Sequence, residues 1–209
     1  MSAVPNRKLT VEEYLAIEEK AEFKSEFYDG VMYPVYRDGP EAMAGASRRH
    51  NYAKENLIVE IGSRLKGGPC RTLSSDQRVR IPNTGMYCYP DIVVICGDPE
   101  YDGETLLNPQ VIIEVLSDST DRYDRTTKFR HCQQLSSLRE YVLVAQDEPV
   151  IDRYVRHDDS SWKLQTFAGI DATFPLESVS VAIPLADVFR GITFQPLPLQ
   201  PKIKLVADP

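Results

Sequence analysis

Residues 89–117 read YPDIVVICGDPEYDGETLLNPQVIIEVLS, and the predicted fold is built around this segment. It holds two apolar runs, residues 92–95 and 111–116, on either side of a polar loop. Runs that are apolar at nearly every position are typical of strands buried on both faces. Both runs are therefore predicted to lie in the middle of a central sheet.

Two acidic residues accompany these predicted strands. Asp91 directly precedes the first run, and Glu114 lies inside the second. A buried carboxylate costs on the order of several kcal/mol unless a cation, a metal or hydrogen bonds compensate it. Two such acids on neighbouring strands predict a site for a hard divalent cation, Mg²⁺ or Mn²⁺ rather than zinc.

The residues alone leave a structural alternative open for each acid. An aspartate at a strand edge can cap backbone N–H groups, and this is the alternative for Asp91. For Glu114 the alternative is a buried ion pair with an arginine such as Arg80 or Arg139.

The composition is that of an ordinary globular protein. With 209 residues, 42% of them hydrophobic and 26% charged, the chain is expected to form one domain over residues 1–195. Residues 196–209 are Pro-rich and are predicted to be an extended tail. No apolar run approaches the ~20 residues of a membrane span, and the first residues contain no hydrophobic signal. We therefore expect a cytoplasmic protein with no membrane partner.

The net charge and the spacing of the cysteines exclude some further classes of protein. The net charge of −7 argues against tight, nonspecific DNA binding, because phosphate binding normally needs a basic surface. Cys70, Cys88, Cys96 and Cys132 are far apart and include no C-x-x-C pair. This spacing favours reduced, mostly buried thiols over a zinc site or a disulfide framework.

The remaining patterns predict an α+β fold with a mixed sheet flanked by helices. Thr10 and Glu13 form a predicted capping box for a first helix, and Asp29-Gly30 marks the turn of a hairpin over residues 23–35. Ser47 is a possible cap for a helix over residues 50–65. The other predicted elements are strands at 70–73, 79–81, 140–145, 150–156 and 162–167, a helix from about residue 123, and a short helix at 184–188. The last three strands are predicted to form an antiparallel meander.

Three other residues could take part in chemistry, but the sequence around each of them does not by itself indicate a function. Lys128 follows Asp124 by four residues, which predicts an ordinary ion pair on a helix surface. His50 near a helix start and Glu26 in a hairpin are ordinary surface residues on pattern alone. The chain lacks the P-loop, dinucleotide-binding, G-x-S-x-G and H-E-x-x-H motifs, which disfavours four common enzyme classes.

Several segments together resemble a known family. YPDIVVICGDPEY, TLLNPQVIIEVLSDSTDRYDRTTKF and LSSLREYVLV are similar to the Uma-two family of bacterial restriction-endonuclease-like proteins, in the PD-(D/E)xK nuclease superfamily. The likeness extends through EFYDGVMYPV, MAGASRRHN, SSDQRVRIP and VAQDEPVIDRY, over about residues 9–189. The most specific part is the run NPQVIIEVLSDST followed by YD and a lysine.

The resemblance implies a nuclease-like core in which Asp91 and Glu114 are the metal carboxylates. In the wider superfamily a lysine stands two residues after the second acid, but this chain has Leu116 there. The family pattern implies that Lys128, on the following helix, supplies the amine instead. His50 and Glu26 correspond to recurring family positions, so both are expected to line the site, with Glu26 a possible further metal ligand.

The implied reaction is Mg²⁺- or Mn²⁺-dependent hydrolysis of a nucleic-acid phosphodiester, with DNA as the expected partner. The backbone carbonyl of Val115 is a further expected metal ligand, and Ser117 is expected to support Glu114 or a metal-bound water. Arg48 and Arg49 are the expected phosphate contacts, with plain surface charge as their alternative. A homodimer is a further expectation, since many relatives of such nucleases pair to cut two strands.

Two other functions stay open at this point. The first is a nuclease fold that has lost catalysis and serves as a binding or interaction module, which the acidic charge and the absent in-register lysine favour. The second is a hydrolase that acts on another phosphorylated substrate.

Overall fold

The structure is a computed structural model that describes residues 7–35 and 47–194, so the predicted tail lies outside the described residues. Its strands and helices follow each other in the order α1 (Val11–Glu18), β1 (Ser25–Tyr28), β2 (Val31–Pro34), α2 (Arg48–Leu65), β3 (Cys70–Ser74), β4 (Val79–Ile81), β5 (Met86–Cys88), β6 (Ile92–Cys96), β7 (Tyr101–Asp102), β8 (Thr105–Leu106), β9 (Val111–Val115), α3 (Asp121–Tyr123), a π-helical turn (Asp124–Lys128), α4 (Phe129–Cys132), β10 (Glu140–Val144), β11 (Val150–Arg156), β12 (Trp162–Ala168), β13 (Thr173–Leu176), a 3₁₀ turn (Glu177–Val179), β14 (Val181–Pro184) and α5 (Leu185–Val188).

The central sheet has six strands in the order β12-β11-β10-β9-β6-β3. Strands β9 and β10 are parallel, and the other neighbours are antiparallel. The predicted mixed sheet and the predicted meander β10-β11-β12 are therefore confirmed. Strand β6 pairs with β9 so that Ile92 faces Ile113, which brings the start of β6 to the end of β9.

A second six-stranded sheet has the order β2-β1-β5-β4-β8-β7. The predicted hairpin forms its β1–β2 edge, with Glu26 opposite Tyr33. The sequence patterns did not predict β5, β7 and β8, which are two or three residues long. A two-residue strand is too short to show an alternating pattern, so only the paired partners reveal it.

Hydrophobic side chains cover both faces of β6 and β9, as predicted. On one face, Ile92 and Val94 pack with the buried side of α2; on the other, Val93 and Ile95 pack with Phe129. Strand alternation also decides where Glu114 points. Its neighbours in alternation, Ile112 and Leu116, belong to the cluster that contains Phe129 and Cys132. Glu114 therefore faces the helix of residues 121–132.

The predicted helix caps are present. The Thr10 hydroxyl accepts a hydrogen bond from Glu13 N at 3.2 Å, and the Glu13 carboxylate accepts one from Thr10 N at 2.9 Å. At the start of α2, the Ser47 hydroxyl accepts from His50 N at 3.1 Å. This cap fixes His50 in the first turn of the helix. Among the residues that the structure describes, no helix combines the length and apolarity needed to cross a bilayer.

The expectation of reduced cysteines is wrong for two of the four. Cys70 and Cys96 form a disulfide. They are 26 residues apart in the sequence, but the antiparallel register of β3 and β6 places them directly opposite each other. Cys88 and Cys132 are free and buried, as predicted. Sequence spacing missed the bond because it depends on strand register.

A buried ion pair lies at the far side of the central sheet. Arg153 on β11 and Glu140 on β10 are diagonal neighbours, with Nη1 3.5 Å from Oε2, and each side chain is 1% exposed. The Ser178 amide and hydroxyl donate to Glu140 Oε1 at 2.7 and 2.6 Å. Burial raises the pKa of Glu140, which the Ser178 hydrogen bonds and Arg153 oppose. The turn that follows β13 is therefore tied to the sheet by hydrogen bonds as well as by apolar packing.

A cluster of buried tyrosines joins α1 to the second sheet. The Tyr14 ring stacks on Phe27 with centroids 4.6 Å apart, and its hydroxyl donates to the Ser25 carbonyl at 2.8 Å. Burial raises the pKa of Tyr14, and burial likewise raises the pKa of Tyr89 to about 12. Both phenols therefore hold their protons more tightly in the folded state.

We expect the protein to lose stability as the pH rises above about 10, where tyrosines of the unfolded chain ionise. The folded state then binds more protons than the unfolded state, so the free energy of unfolding falls by up to about 1.4 kcal/mol per pH unit for each such group. Urea unfolding at a series of alkaline pH values measures the slope. Tyr14→Phe should have a shallower slope, whereas Tyr101→Phe, at an exposed position, should match the wild type. Equal slopes for Tyr14→Phe and the wild type would contradict this account.

Candidate functional site

A cleft of about 300 Å³ opens where β9 ends and β6 begins. The hairpin β1–β2 forms part of one wall and the first turns of α2 form part of another. Of the predicted site residues, those lining the cleft are Glu26, His50, Asp91, Glu114, Val115, Ser117 and Lys128. The structure therefore brings together side chains from five separate segments of the chain.

The two predicted metal-binding acids both line this cleft and are joined by hydrogen bonds through the backbone. Asp91 N donates to Glu114 Oε2 at 3.3 Å, and Val115 N donates to Asp91 Oδ2 at 2.9 Å. These contacts follow from the antiparallel pairing of β6 and β9. Asp91 thus also caps a backbone N–H group, which is the structural alternative considered for it, and both acids line the same cleft.

His50 lies against Asp91. Its Nε2 is 3.2 Å from Asp91 Oδ2, and both side chains are mostly buried. Burial alone would raise the pKa of Asp91, but the hydrogen bonds with His50 and the Val115 amide lower it below its usual value. Asp91 is therefore held as a carboxylate, which is the form that binds cations.

Lys128 is the central cation of the site. Its Nζ lies 2.7 Å from Glu114 Oε1, 3.0 Å from Glu26 Oε1 and 3.9 Å from Asp124 Oδ1. Burial works to lower the pKa of Lys128, but the carboxylates raise it well above its usual value. The surface ion pair predicted from sequence spacing is wrong, because the lysine side chain is only 5% exposed and its nearest partners come from other elements.

The alternative partners proposed for Glu114 are not its partners in the structure. Arg80 instead pairs with Asp102, with Nη1 2.8 Å from Oδ2. Glu114 meets Lys128 because strand alternation turns it toward the helix of residues 121–132. The cation that compensates the buried carboxylate of Glu114 is thus a lysine rather than an arginine.

Glu26 holds Lys128 in place. One carboxylate oxygen contacts Lys128, and the other accepts a hydrogen bond from the Tyr123 hydroxyl at 2.6 Å. Glu26 thus positions Lys128, and its possible role as a further metal ligand stays a prediction. Its expected surface location is wrong, since Glu26 is buried.

The hydrogen bonds given for Ser117 and Arg49 go to residues other than the two acids. Ser117 Oγ is 3.1 Å from Ser119 Oγ and 3.0 Å from Thr120 Oγ1, so its hydrogen bonds stay within its own loop. Arg49 pairs with Asp147 at 2.7 Å, and Arg48 is exposed outside the cleft lining. Their role as phosphate contacts stays a prediction.

The structure also places residues in the cleft that sequence reasoning missed. They are Lys24, Tyr33, Lys54, Tyr89, Tyr123 and Asp124. Burial raises the pKa of Asp124 to about 6, against the opposing effect of Lys128. Four-residue spacings were the signals in the sequence: Lys54 follows His50 on the same side of α2, and Asp124 precedes Lys128 by the same interval.

The donor set suits a metal bound by few protein ligands. Within residues 7–35 and 47–194, no three His, Cys, Asp or Glu side chains are arranged to hold a metal ion. Two carboxylates and the Val115 carbonyl are nevertheless all-oxygen donors. Magnesium is commonly bound through only one or two carboxylates, with waters and substrate phosphates completing its shell. The residues present therefore fit Mg²⁺ better than zinc.

Comparisons with known proteins agree with this fold. A sequence model of the Uma2 family, described as "Putative restriction endonuclease", matches residues 11–186. The uncharacterized Synechocystis sp. protein slr1290 is 34% identical over 194 residues, covering 92% of this chain and 97% of its own length. The uncharacterized protein sll1609 from the same organism is 34% identical over 179 residues, covering 82% and 94%.

The fold also matches a solved structure. The crystal structure of "a putative nuclease belonging to DUF820" from Anabaena variabilis has a TM-score of 0.68 at 20% identity, and the match covers 87% of this chain and 97% of that chain. That likeness shows a shared fold. Because the family model spans most of the described chain, the protein belongs to the Uma2 family of restriction-endonuclease-like proteins.

Proposed function

We propose that the protein is a divalent-metal-dependent endonuclease that hydrolyses phosphodiester bonds of nucleic acid, with DNA as the expected substrate. The observation that carries this proposal is the placement of Asp91 and Glu114 in one cleft, beside the buried ammonium of Lys128. Membership of a restriction-endonuclease family supports the reaction class.

The residues that would hold the metal are Asp91, Glu114 and the carbonyl of Val115. When bound, Mg²⁺ or Mn²⁺ supplies Lewis-acid polarisation of the phosphoryl oxygens and a lowered pKa of water. His50 keeps the Asp91 carboxylate oriented through its contact at 3.2 Å. Neutralising either acid removes a negatively charged oxygen from the few protein groups that would hold the metal.

Lys128 provides the positive charge for the phosphate. Glu26 and Asp124 fix its ammonium within 4 Å of their oxygens. A fixed ammonium in a water-poor site stabilises negative charge that develops on phosphate oxygens. Leu116, at the usual lysine position, is buried in the apolar cluster that contains Phe129. Lys128, on the helix, therefore supplies the amine that strand β9 lacks.

The test compares wild type with Asp91→Asn and Glu114→Gln in nicking of supercoiled plasmid with Mg²⁺ or Mn²⁺. Each substitution should lower the rate by about 100-fold or more, because each removes charge from the reacting centre. Asp171→Asn, at an exposed position away from the cleft, is the matched control and should cleave like wild type. Unchanged nicking in both site variants would refute the assignment.

One observation favours a second function, a nuclease fold kept as a binding module. Lys128 already lies 2.7 Å from Glu114, so this buried acid has a counter-charge without a metal. Calorimetry separates the two functions. Saturable Mn²⁺ binding that is lost in both Asp91→Asn and Glu114→Gln supports the enzyme, whereas the absence of metal binding supports the module.

A further inference from the structure

An exposed tyrosine stands next to the proposed catalytic centre. Tyr33 on β2 lines the cleft and is 43% exposed. It lies directly opposite Glu26 in the hairpin, so both side chains are on the same face. Glu26 in turn contacts Lys128 at 3.0 Å. An aromatic face is thus available beside the ammonium that would meet the scissile phosphate.

The other wall of the cleft carries a lysine, Lys54, that is in no close ion pair with any described residue. Lys54 lines the cleft one helical turn after His50, which contacts Asp91. Among the described residues that line the cleft, Lys24 pairs with Asp76 and Lys128 with Glu114, but Lys54 forms no ion pair. Within the part of the chain that the structure describes, Lys54 therefore has no carboxylate within ion-pair distance, and its charge acts on Asp76 only over a longer distance.

The shape and charge of the cleft limit what can reach the acids. Asp91 is 19% exposed and Glu114 only 4%. The cleft volume of about 300 Å³ is at the low end of pockets for small ligands. The net charge of −7 disfavours nonspecific binding of any nucleic acid through an extended basic surface, so access to the acids depends on the narrow cleft.

We infer that the cleft admits an unpaired nucleic-acid strand in preference to an intact duplex. Tyr33 stacks on a base at one side of the two acids, and Lys54 contacts a backbone phosphate at the other. A stacking aromatic combined with a cationic contact is the usual way to bind single strands without reading their sequence. The inference rests on the proposed function, because it names the substrate class of that same site.

Fluorescence anisotropy tests this inference in EDTA, where metal-dependent hydrolysis is blocked. The probes are a fluorescein-labelled DNA strand of mixed sequence, the same sequence as RNA, and the DNA strand annealed to its complement. Wild type should bind an unpaired strand about 10-fold or more tightly than the duplex. A preference for the DNA or the RNA strand identifies the source of the unpaired strand.

Tyr33→Ala and Lys54→Ala should each weaken binding of the unpaired strand by about 10-fold. Tyr33→Phe keeps the stacking face and should bind like wild type. Lys54→Ala should also reduce the salt dependence of binding, because one phosphate contact is lost. The matched controls are Tyr101→Ala and Lys163→Ala, at exposed positions outside the cleft, and both should leave binding unchanged.

Duplex binding as tight as or tighter than single-strand binding would overturn the inference, as would no detectable single-strand binding or unchanged binding in both Tyr33→Ala and Lys54→Ala. These results differ from failure of the proposed function. Cleavage that occurs only on duplex refutes the inference and keeps the nuclease. Single-strand binding that depends on Tyr33 and Lys54 without any cleavage keeps the inference and refutes the nuclease.

Discussion

Replacing Lys128 with methionine should lower the free energy of unfolding by about 3–5 kcal/mol, because the change leaves buried carboxylates without their counter-charge. Glu114, Glu26 and Asp124 all approach the lysine within 4 Å, and each is at most 8% exposed. Methionine has a similar length but no charge. Nuclease activity should fall to background in the same variant, since the proposed phosphate-stabilising group is gone.

Urea unfolding in EDTA measures the stability of this variant. Lys163→Met, which removes an exposed lysine, is the matched control and should stay within about 0.5 kcal/mol of wild type. Adding Glu114→Gln to Lys128→Met should recover part of the lost stability, because one uncompensated carboxylate is removed. A Lys128→Met variant as stable as wild type would show that the buried cation is not needed for folding.

Replacing Arg153 with methionine should destabilise the protein by a similar amount, about 3–5 kcal/mol. The substitution leaves Glu140, whose side chain is 1% exposed, without its cationic partner. It also removes the hydrogen bonds that Arg153 donates to Gln165 and to the Pro175 carbonyl. Unlike Lys128, Arg153 lies outside the cleft lining. The activity per folded molecule should therefore be unchanged.

The measurement is again urea unfolding, paired with the nicking assay under conditions where the variant is folded. Arg71→Met is the control, because Arg71 is exposed on edge strand β3. The double variant Arg153→Met with Glu140→Gln should be more stable than Arg153→Met alone. If the double variant is less stable, the cost arises from lost packing rather than from an unpaired carboxylate.

The elements that the sequence predicted correctly are those with a repeating pattern. Strands β6 and β9 were visible as apolar runs, α2 as an apolar face, and the hairpin through Asp29-Gly30. Each signal is local, because it depends on periodicity or turn chemistry within one segment. Strand β8, which pairs with β4 through Val79 and Leu106, and the Cys70–Cys96 bond depend on contacts between distant segments. No local pattern encodes them.

The same distinction separates the parts of the site. The proximity of Asp91 and Glu114 could be predicted because each acid belongs to a buried strand, and neighbouring buried strands tend to pair. The environment of Lys128 could not be predicted, because it depends on Glu26 from a hairpin about a hundred residues earlier in the chain. Tyr123 joins the same network through its hydroxyl. Only the packed structure shows that these three residues meet.

The π-helical turn of residues 124–128 makes the site sensitive to the deletion of a residue from this helix. Such a turn holds an extra residue relative to an α-helical turn, and π turns often occur at functional sites. Removing one residue there would restore ordinary helix, so the residues on either side would keep their orientation but the side chains within the turn would have to change place. Asp124 and Lys128 could then no longer keep their present positions relative to Glu26 and Glu114. A single-codon deletion in this helix should therefore be more damaging than most substitutions on its exposed side.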